Sequence, residues 1–256
     1  MAHHTIGMNS CLKYLVATSV PLKEEWSLTD DFQRHDVNSL ASWVNQLAVG
    51  QLVAWDAPLT GPRDPDGEQL NEGDLTQRQI EKFFSRKGEF KVPKGISVQG
   101  YAGCQHWTIS QRLLGLPRIG PYSSPDKDLP LRPLFDQAGL QHVINDSRAC
   151  VVEVHPAVGL WLWCEKKNPD CNWSYKRNTA QVSAHWQKLN ECVPDVSHLK
   201  TPTSDDELDA LIAWLLADRW TRGKGVVLLG NARTGSFLVP NVPGLRKTFE
   251  EFLNSL

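Results

Sequence analysis

The sequence predicts an α/β protein, and three observations carry that expectation. Two short, nearly continuous apolar runs, QLVAWDAPLTG from Gln51 and CVVEVHPAVGLWLW from Cys150, have the pattern of strands buried on both faces. The segment TSDDELDALIAWLLADRW, from Thr203, has apolar residues at helical spacing and is the clearest helix in the chain. After residue 35 strand and helix signals alternate, as they do when helices cover a sheet.

The elements follow in order. Residues 4–20 read as one or two strands, with Gly7, Asn9 and Ser10 interrupting strand formers such as Ile6, Leu12, Tyr14, Leu15 and Val16. Val37 to Ala48 carries apolar residues at 37, 40, 43, 44 and 47, a helical spacing, with Asp36 as N-cap and Gly50 closing it. The strand of Gln51 then meets Asp56, Pro58 and Gly61. Residues 61–100 are rich in Gly, Pro and charge and read as a long insertion or lid over the sheet face. It holds a short helix from Thr76 to Phe84 and the basic stretch SRKGEFKVPKG.

CQHWTISQRLLG reads as a helix ending at Gly115, PRIGPYSSPDKDLPLRP as loop, and LRPLFDQAGLQH as a further helix. The second buried strand ends at His155-Pro156. A polar loop, CEKKNPDCNWSYKR, precedes a helix from about Thr179 to Cys192. GVVLLGN and GSFLVPNV read as a hairpin or edge strands, and LRKTFEEFLNSL as a closing helix. The whole chain, 1–256, reads as a single domain without internal repeats.

Composition narrows the function classes. The 256 residues are 41% apolar and carry a net charge of -2, so a core is affordable and no global positive field draws nucleic acid. A nucleic-acid partner would need a local basic patch. Lys82, Arg86, Lys87, Lys91 and Lys94 supply one, although a solvated loop is their plainer reading. Ten Trp is a high count; Trp107, Trp161 and Trp163 offer faces for base stacking, with core packing the plainer role for at least two. No apolar run reaches membrane-spanning length and no secretion signal opens the chain, so a cytoplasmic location is expected. Six scattered Cys without a CxxC pair read as reduced thiols; a Cys164–Cys171 disulfide is the less favoured alternative, and no structural zinc site is expected.

Carboxylates carry the candidate chemistry. Asp56 stands at the C-terminal end of a buried strand, where ligands of open α/β sheets gather, though Asp also simply starts turns. Glu153 lies among valines, where an isolated carboxylate costs several kcal/mol or is pushed toward neutrality. It therefore points to a polar site, a partner or a metal, or else to an edge strand with a wet face. His155, two residues on, shares its face. Ser204 and Glu207 form a capping box, and Asp205 and Asp206 sit in the first helical turn, where anions are favoured anyway. Asp209 is past that turn, beside the stripe Leu208, Leu211, Ile212, Leu215 and Leu216. The small-residue face Ala210, Ala213 and Ala217 lets the helix approach a sheet. Were these carboxylates to converge, their hard oxygens would suit Mg²⁺ or Mn²⁺, and paired ions of that kind activate water against a phosphodiester.

Read together, VAWDAPLTG, RLLG with Arg112, VVEVHPAVGLW, DDELDAL and GSFLVP resemble, in order and over nearly the whole chain, the RNase H-like family of predicted nucleases termed DUF429. The resemblance implies an RNase H-like mixed sheet: three antiparallel strands, a crossover helix and further parallel strands; the long 61–100 insertion after the fourth strand departs from the family pattern and would alter access to the site. It implies catalytic Asp56, Glu153, Asp206 and Asp209, with Asp56, Glu153 and Asp209 holding Mg²⁺ or Mn²⁺ and His155, Asp205 and Arg112 in support. It also aligns Gly7-Met8-Asn9-Ser10-Cys11 with the family's Gly-x-Asp-Gly-Cys on strand one. Asn9 thus stands where relatives carry a metal-binding Asp, and as a neutral amide it is a weak or lost ligand.

Three functions follow. The first is a metal-dependent nuclease or phosphodiester hydrolase weakened by Asn9. The second is an inactive relative that binds nucleic acid, nucleotide or a protein. The third, an actin-like phosphotransferase, lacks a Gly-rich phosphate loop beside strand one.

Overall fold

The computed structural model describes residues 3–8, 14–22, 25–28 and 33–35 as backbone, and residues 42–47, 51–60, 77–86, 88–98, 110, 131–137, 148–165, 171–176, 178–197 and 199–256 in fuller detail. Strands are β1 (His3–Met8), β2 (Tyr14–Leu22), β3 (Glu25–Leu28), β4 (Gln33–His35), β5 (Leu52–Trp55), β6 (Leu131–Leu134), β7 (Ala149–Glu153), β8 (Val226–Asn231) and β9 (Gly235–Pro240). Helices are α1 (Gln79–Ser85), α2 (Pro156–Cys164), α3 (Thr179–Cys192), α4 (Asp205–Thr221) and α5 (Leu245–Asn254).

The chain is a mixed α/β protein. The main sheet runs β3-β2-β1-β5-β7-β6, with β4 also paired to β2. β5, β7 and β6 are parallel, in the registers Trp55↔Glu153 and Leu134↔Val152. β1 runs parallel to β5, with Ile6 opposite Trp55, and antiparallel to β2, which is itself antiparallel to β3. β8 and β9 form a separate antiparallel hairpin, joined to the end of β7 by a bridge between Val154 and Leu238.

Burial explains the two apolar runs. Leu52 to Trp55 and Ala149 to Glu153 are buried at every position. Alternate residues Leu52, Ala54, Cys150, Val152 and Val154 join the core under α2 and α4. On the other face Trp55 donates its indole N–H to Ser110 Oγ at 2.8 Å. Strand alternation thus sends neighbours in one strand into two different layers.

α4 packs on β1, β2 and β5. Ala210, Ala213 and Ala217 are wholly buried along it, as befits a helix that approaches a sheet closely. Its start is capped as its sequence demands, with Ser204 Oγ accepting from the Glu207 N–H at 3.2 Å. The Glu207 carboxylate reaches back one residue further than a capping box requires, to the N–H and hydroxyl of Thr203, both at 2.7 Å.

Two segments correct the sequence reading. Leu131–Leu134 is strand β6 rather than the start of a helix. Pro133 explains it: the residue before Pro is pushed out of the helical region, and β6 lies at the sheet edge, where a missing N–H is tolerated. Beyond His155-Pro156 the apolar run turns helical as α2, with Pro at the first turn, where its lost N–H costs nothing. A helix apolar on all sides has no amphipathic period to betray it. The expected helix at 37–48 is described only in part, with residues 42–44 helical. The one expected at 104–115 lies outside the described residues except for Ser110.

The 61–100 segment follows β5, because the short β4 counts as a strand beside β2. Its described part is anchored: Ile80, Phe83, Phe84, Phe90, Val92, Ile96 and Val98 all join the core. Among the described residues no helix is long and apolar enough to cross a membrane. The described cysteines, Cys150, Cys164, Cys171 and Cys192, are all free thiols, Cys150 and Cys164 buried.

Candidate functional site

The candidate carboxylates fall into two groups with different partners. Glu153 ends β7 with no exposed surface. Its Oε1 accepts from Arg78 Nη2 at 2.5 Å, and its Oε2 from Arg78 Nη1 at 2.8 Å and from the Leu59 N–H at 2.9 Å. Arg78, itself buried, also pairs with Glu81 and donates to the hydroxyl of Thr60 at 3.0 Å. One guanidinium thus serves two buried carboxylates. Burial pushes the Glu153 carboxyl up to about 7 against the pull of Arg78. Desolvation works against the Arg78 charge, but Glu153 and Glu81 outweigh it and hold Arg78 firmly protonated. His155 lies near this network: its ring meets Phe237 edge-on at 5.6 Å, and its Nε2 faces Ser97 O at 3.3 Å. The Arg78 guanidinium stands over the same Phe237 ring, 5.8 Å from its centre.

Asp56 follows Trp55, just beyond the end of β5, and acts electrostatically on the same groups as Asp209. Asp209, 2% exposed, accepts from the Tyr175 hydroxyl through Oδ1 and pairs with the Lys176 ammonium through Oδ2. Burial first, and then Asp209, Asp56 and Asp205, push the Tyr175 hydroxyl well above its ordinary value. Burial opposes the Lys176 charge, but Asp209, Asp56 and Asp205 outweigh it and hold Lys176 strongly protonated. Its side chain is 52% exposed, so water screens much of this attraction. Asp56, Asp205 and Asp209 therefore act on one cation, at the meeting of a strand end and a helix N-terminus. Asp206 is half-buried in the same first turn of α4.

The structure thus brings Asp56, Asp205 and Asp209 around Lys176 and gives Glu153 different partners. Asn9 and Arg112 lie outside the described residues; β1 ends at Met8. Sequence reasoning missed Tyr175, Lys176 and Arg78. The first two sat in a loop read only as polar, and Arg78 in an insertion. Their partners among the candidate carboxylates, Asp209 and Glu153, are 33 to 75 residues away, a separation no local pattern encodes.

Asp209 pairs with the Lys176 ammonium and Asp56 and Asp205 add to its electrostatic hold, and hard oxygens of this kind are the donors a small divalent ion needs. Among the described residues no three His, Cys, Asp or Glu side chains come together closely enough to enclose an ion. The set fits an ion that keeps several waters and takes one or two carboxylates, as Mg²⁺ does.

Of the basic residues, Arg86, Lys91 and Lys94 are exposed, and Arg86 covers the Phe252 ring at 5.3 Å. Trp161 is buried in α2, with no face open to a base.

No curated protein and no solved structure matches the chain. A family model described as "Protein of unknown function (DUF429)" matches residues 23–234. That span includes Asp56, Arg112, Glu153 and Asp209; Gly7–Cys11 precedes it and GSFLVP follows it. The match covers most of the sequence, and the chain belongs to the DUF429 family.

Proposed function

We propose that this chain is a metal-dependent phosphodiester hydrolase of RNase H-like type, with Mg²⁺ or Mn²⁺ held by Asp56 and Asp209 and with Asp205 and Asp206 beside them. The observation that carries the reading is the gathering of Asp56, Asp205 and Asp209 about the Lys176 ammonium. An RNase H-like sheet is supported by β1 standing between antiparallel β2 and parallel β5.

When bound, the metal supplies an activated water and neutralises charge on the phosphodiester. The chain's own groups do the rest. Tyr175 fixes one oxygen of Asp209, leaving the other for a cation. Lys176, half-exposed on a flexible stem, holds that place and can swing out to a phosphate. Glu153 acts as a buried counter-ion that fixes Arg78 and, through the Leu59 N–H, the turn that follows Asp56.

The test is cleavage of single-stranded, duplex and hybrid nucleic acid with Mn²⁺. Metal-stimulated cleavage that Asp56→Asn and Asp209→Asn each abolish supports the reading. Absence of cleavage on all three substrates, with or without Asn9→Asp, would contradict it.

A second reading is a nucleic-acid, nucleotide or protein-binding module without turnover. Asn9 and the Lys176 ammonium seated on Asp209 favour it, since both weaken a metal site. Binding of nucleic acid with no metal-stimulated cleavage would select it.

A further inference from the structure

A second chemical cluster lies outside the carboxylate sites, between α3 and the loop that precedes it. Cys171 is partly exposed in that loop. The Lys188 ammonium of α3 lies 2.6 Å from Cys171 Sγ. His185, one turn before Lys188, turns Nδ1 to the same sulfur at 3.7 Å. His185 has no exposed surface, and its Nε2 meets no hydrogen-bond partner among the described residues. The Trp173 ring stacks on the imidazole at 5.4 Å and the Tyr175 ring meets it edge-on at 5.3 Å. Burial first, then Lys188, pushes this imidazole down to about 4, so it faces the thiol as a neutral ring.

The arrangement combines a reachable nucleophile, a cation against it and a fixed imidazole. Reactive cysteines occur in such electropositive, partly exposed surroundings, whereas buried structural ones are inert. Cys192 is the internal contrast. It is also partly exposed, at the end of α3, and among the described residues no cation is paired with it.

We propose that Cys171 is a peroxide-reactive thiol, with Lys188 as its activating cation and His185 as its wall. In the step the Cys171 thiolate attacks one oxygen of the peroxide. The S–O bond forms as the O–O bond breaks. Sulfur loses two electrons to become the sulfenic acid. The leaving hydroxide takes a proton from the Lys188 ammonium, or from water it orders, and departs as water. The proposal does not depend on hydrolase activity.

The test treats the reduced full-length chain with hydrogen peroxide and a sulfenic-acid trap, and in parallel with iodoacetamide. Peptide mapping then follows Cys171 and Cys192 separately. Cys171 is expected to react roughly tenfold faster than Cys192. Lys188→Met should remove that advantage, and Lys188→Arg should retain most of it, with the thermal melt of each variant unchanged. Equal rates at Cys171 and Cys192 in the wild type would overturn the proposal, as would a Cys171 rate that Lys188→Met leaves unaltered. Should Lys188→Met fail to fold, Lys188→Gln carries the same comparison.

Discussion

At the residue scale, the most consequential side chain is Arg78, which the sequence left inside an insertion. It is the counter-ion of Glu153 and Glu81, and all three are buried. Breaking a buried pair by removing one partner strands a charge without water and costs about 3–5 kcal/mol. Arg78→Met should therefore lower stability by that order in a denaturant melt. Since burial already raises the Glu153 carboxyl to about 7, adding Glu153→Gln to Arg78→Met should recover part of the loss. His185 makes the opposite kind of prediction. Its value in the fold, about 4, is below the ordinary 6.5, so folding favours the neutral ring. That stability is fully present above pH about 6.5 and drains away as the pH falls toward about 4. Melts from pH 8 to 4 should show this slope in the wild type and a flatter one in His185→Asn. Equal slopes would mean the ring is wetter than its burial indicates. Glu153 illustrates how far one residue can be read. Its setting among valines announced a carboxylate needing a partner, and it has one. That the partner is an arginine 75 positions upstream is a property of the fold.

At the element scale, legibility tracked pattern strength. β5, α3 and α4 were readable because their apolar spacing, Ser204 cap and flanking breakers agree with one another. β6 and α2 were not. β6 is only four residues long, too short to show a period, and α2 is apolar all round. The hairpin of β8 and β9 bears on the Arg78 network directly. Gly235 opens β9 at φ +73°, and a Cβ there would lie 2.8 Å from both Arg78 Nε and Ile80 Cγ2. Gly235→Ala combines a left-handed backbone with this crowding, so it should destabilise by about 1–3 kcal/mol. Because the hairpin touches the network, Gly235→Ala and Arg78→Met should fall short of additivity in a double-mutant cycle. Full additivity would show that the two elements are mechanically separate.

At the scale of the whole molecule, the sheet and its helices put strand ends and the α4 N-terminus together. That convergence lets Asp56 act on the same cation as Asp205 and Asp209, although it lies about 150 residues before them in the chain. Asp56, Glu153 and Asp209 were legible as candidate positions, although Asp56 also suits a turn and Glu153 also suits an edge strand with a wet face. Their separation into a Lys176 group and an Arg78 group was not legible, because it depends on partners brought in from distant segments. Lys176 is the one feature of the site that both fills and advertises it: an ammonium stands where the proposed hydrolase would hold a metal. Calorimetric titration of Mn²⁺ into the wild type, Lys176→Met and Asp209→Asn tests that directly. The account predicts saturable binding in the wild type, tighter binding in Lys176→Met once the competing ammonium is gone, and none in Asp209→Asn. Absence of binding at millimolar Mn²⁺ in both the wild type and Lys176→Met would contradict it.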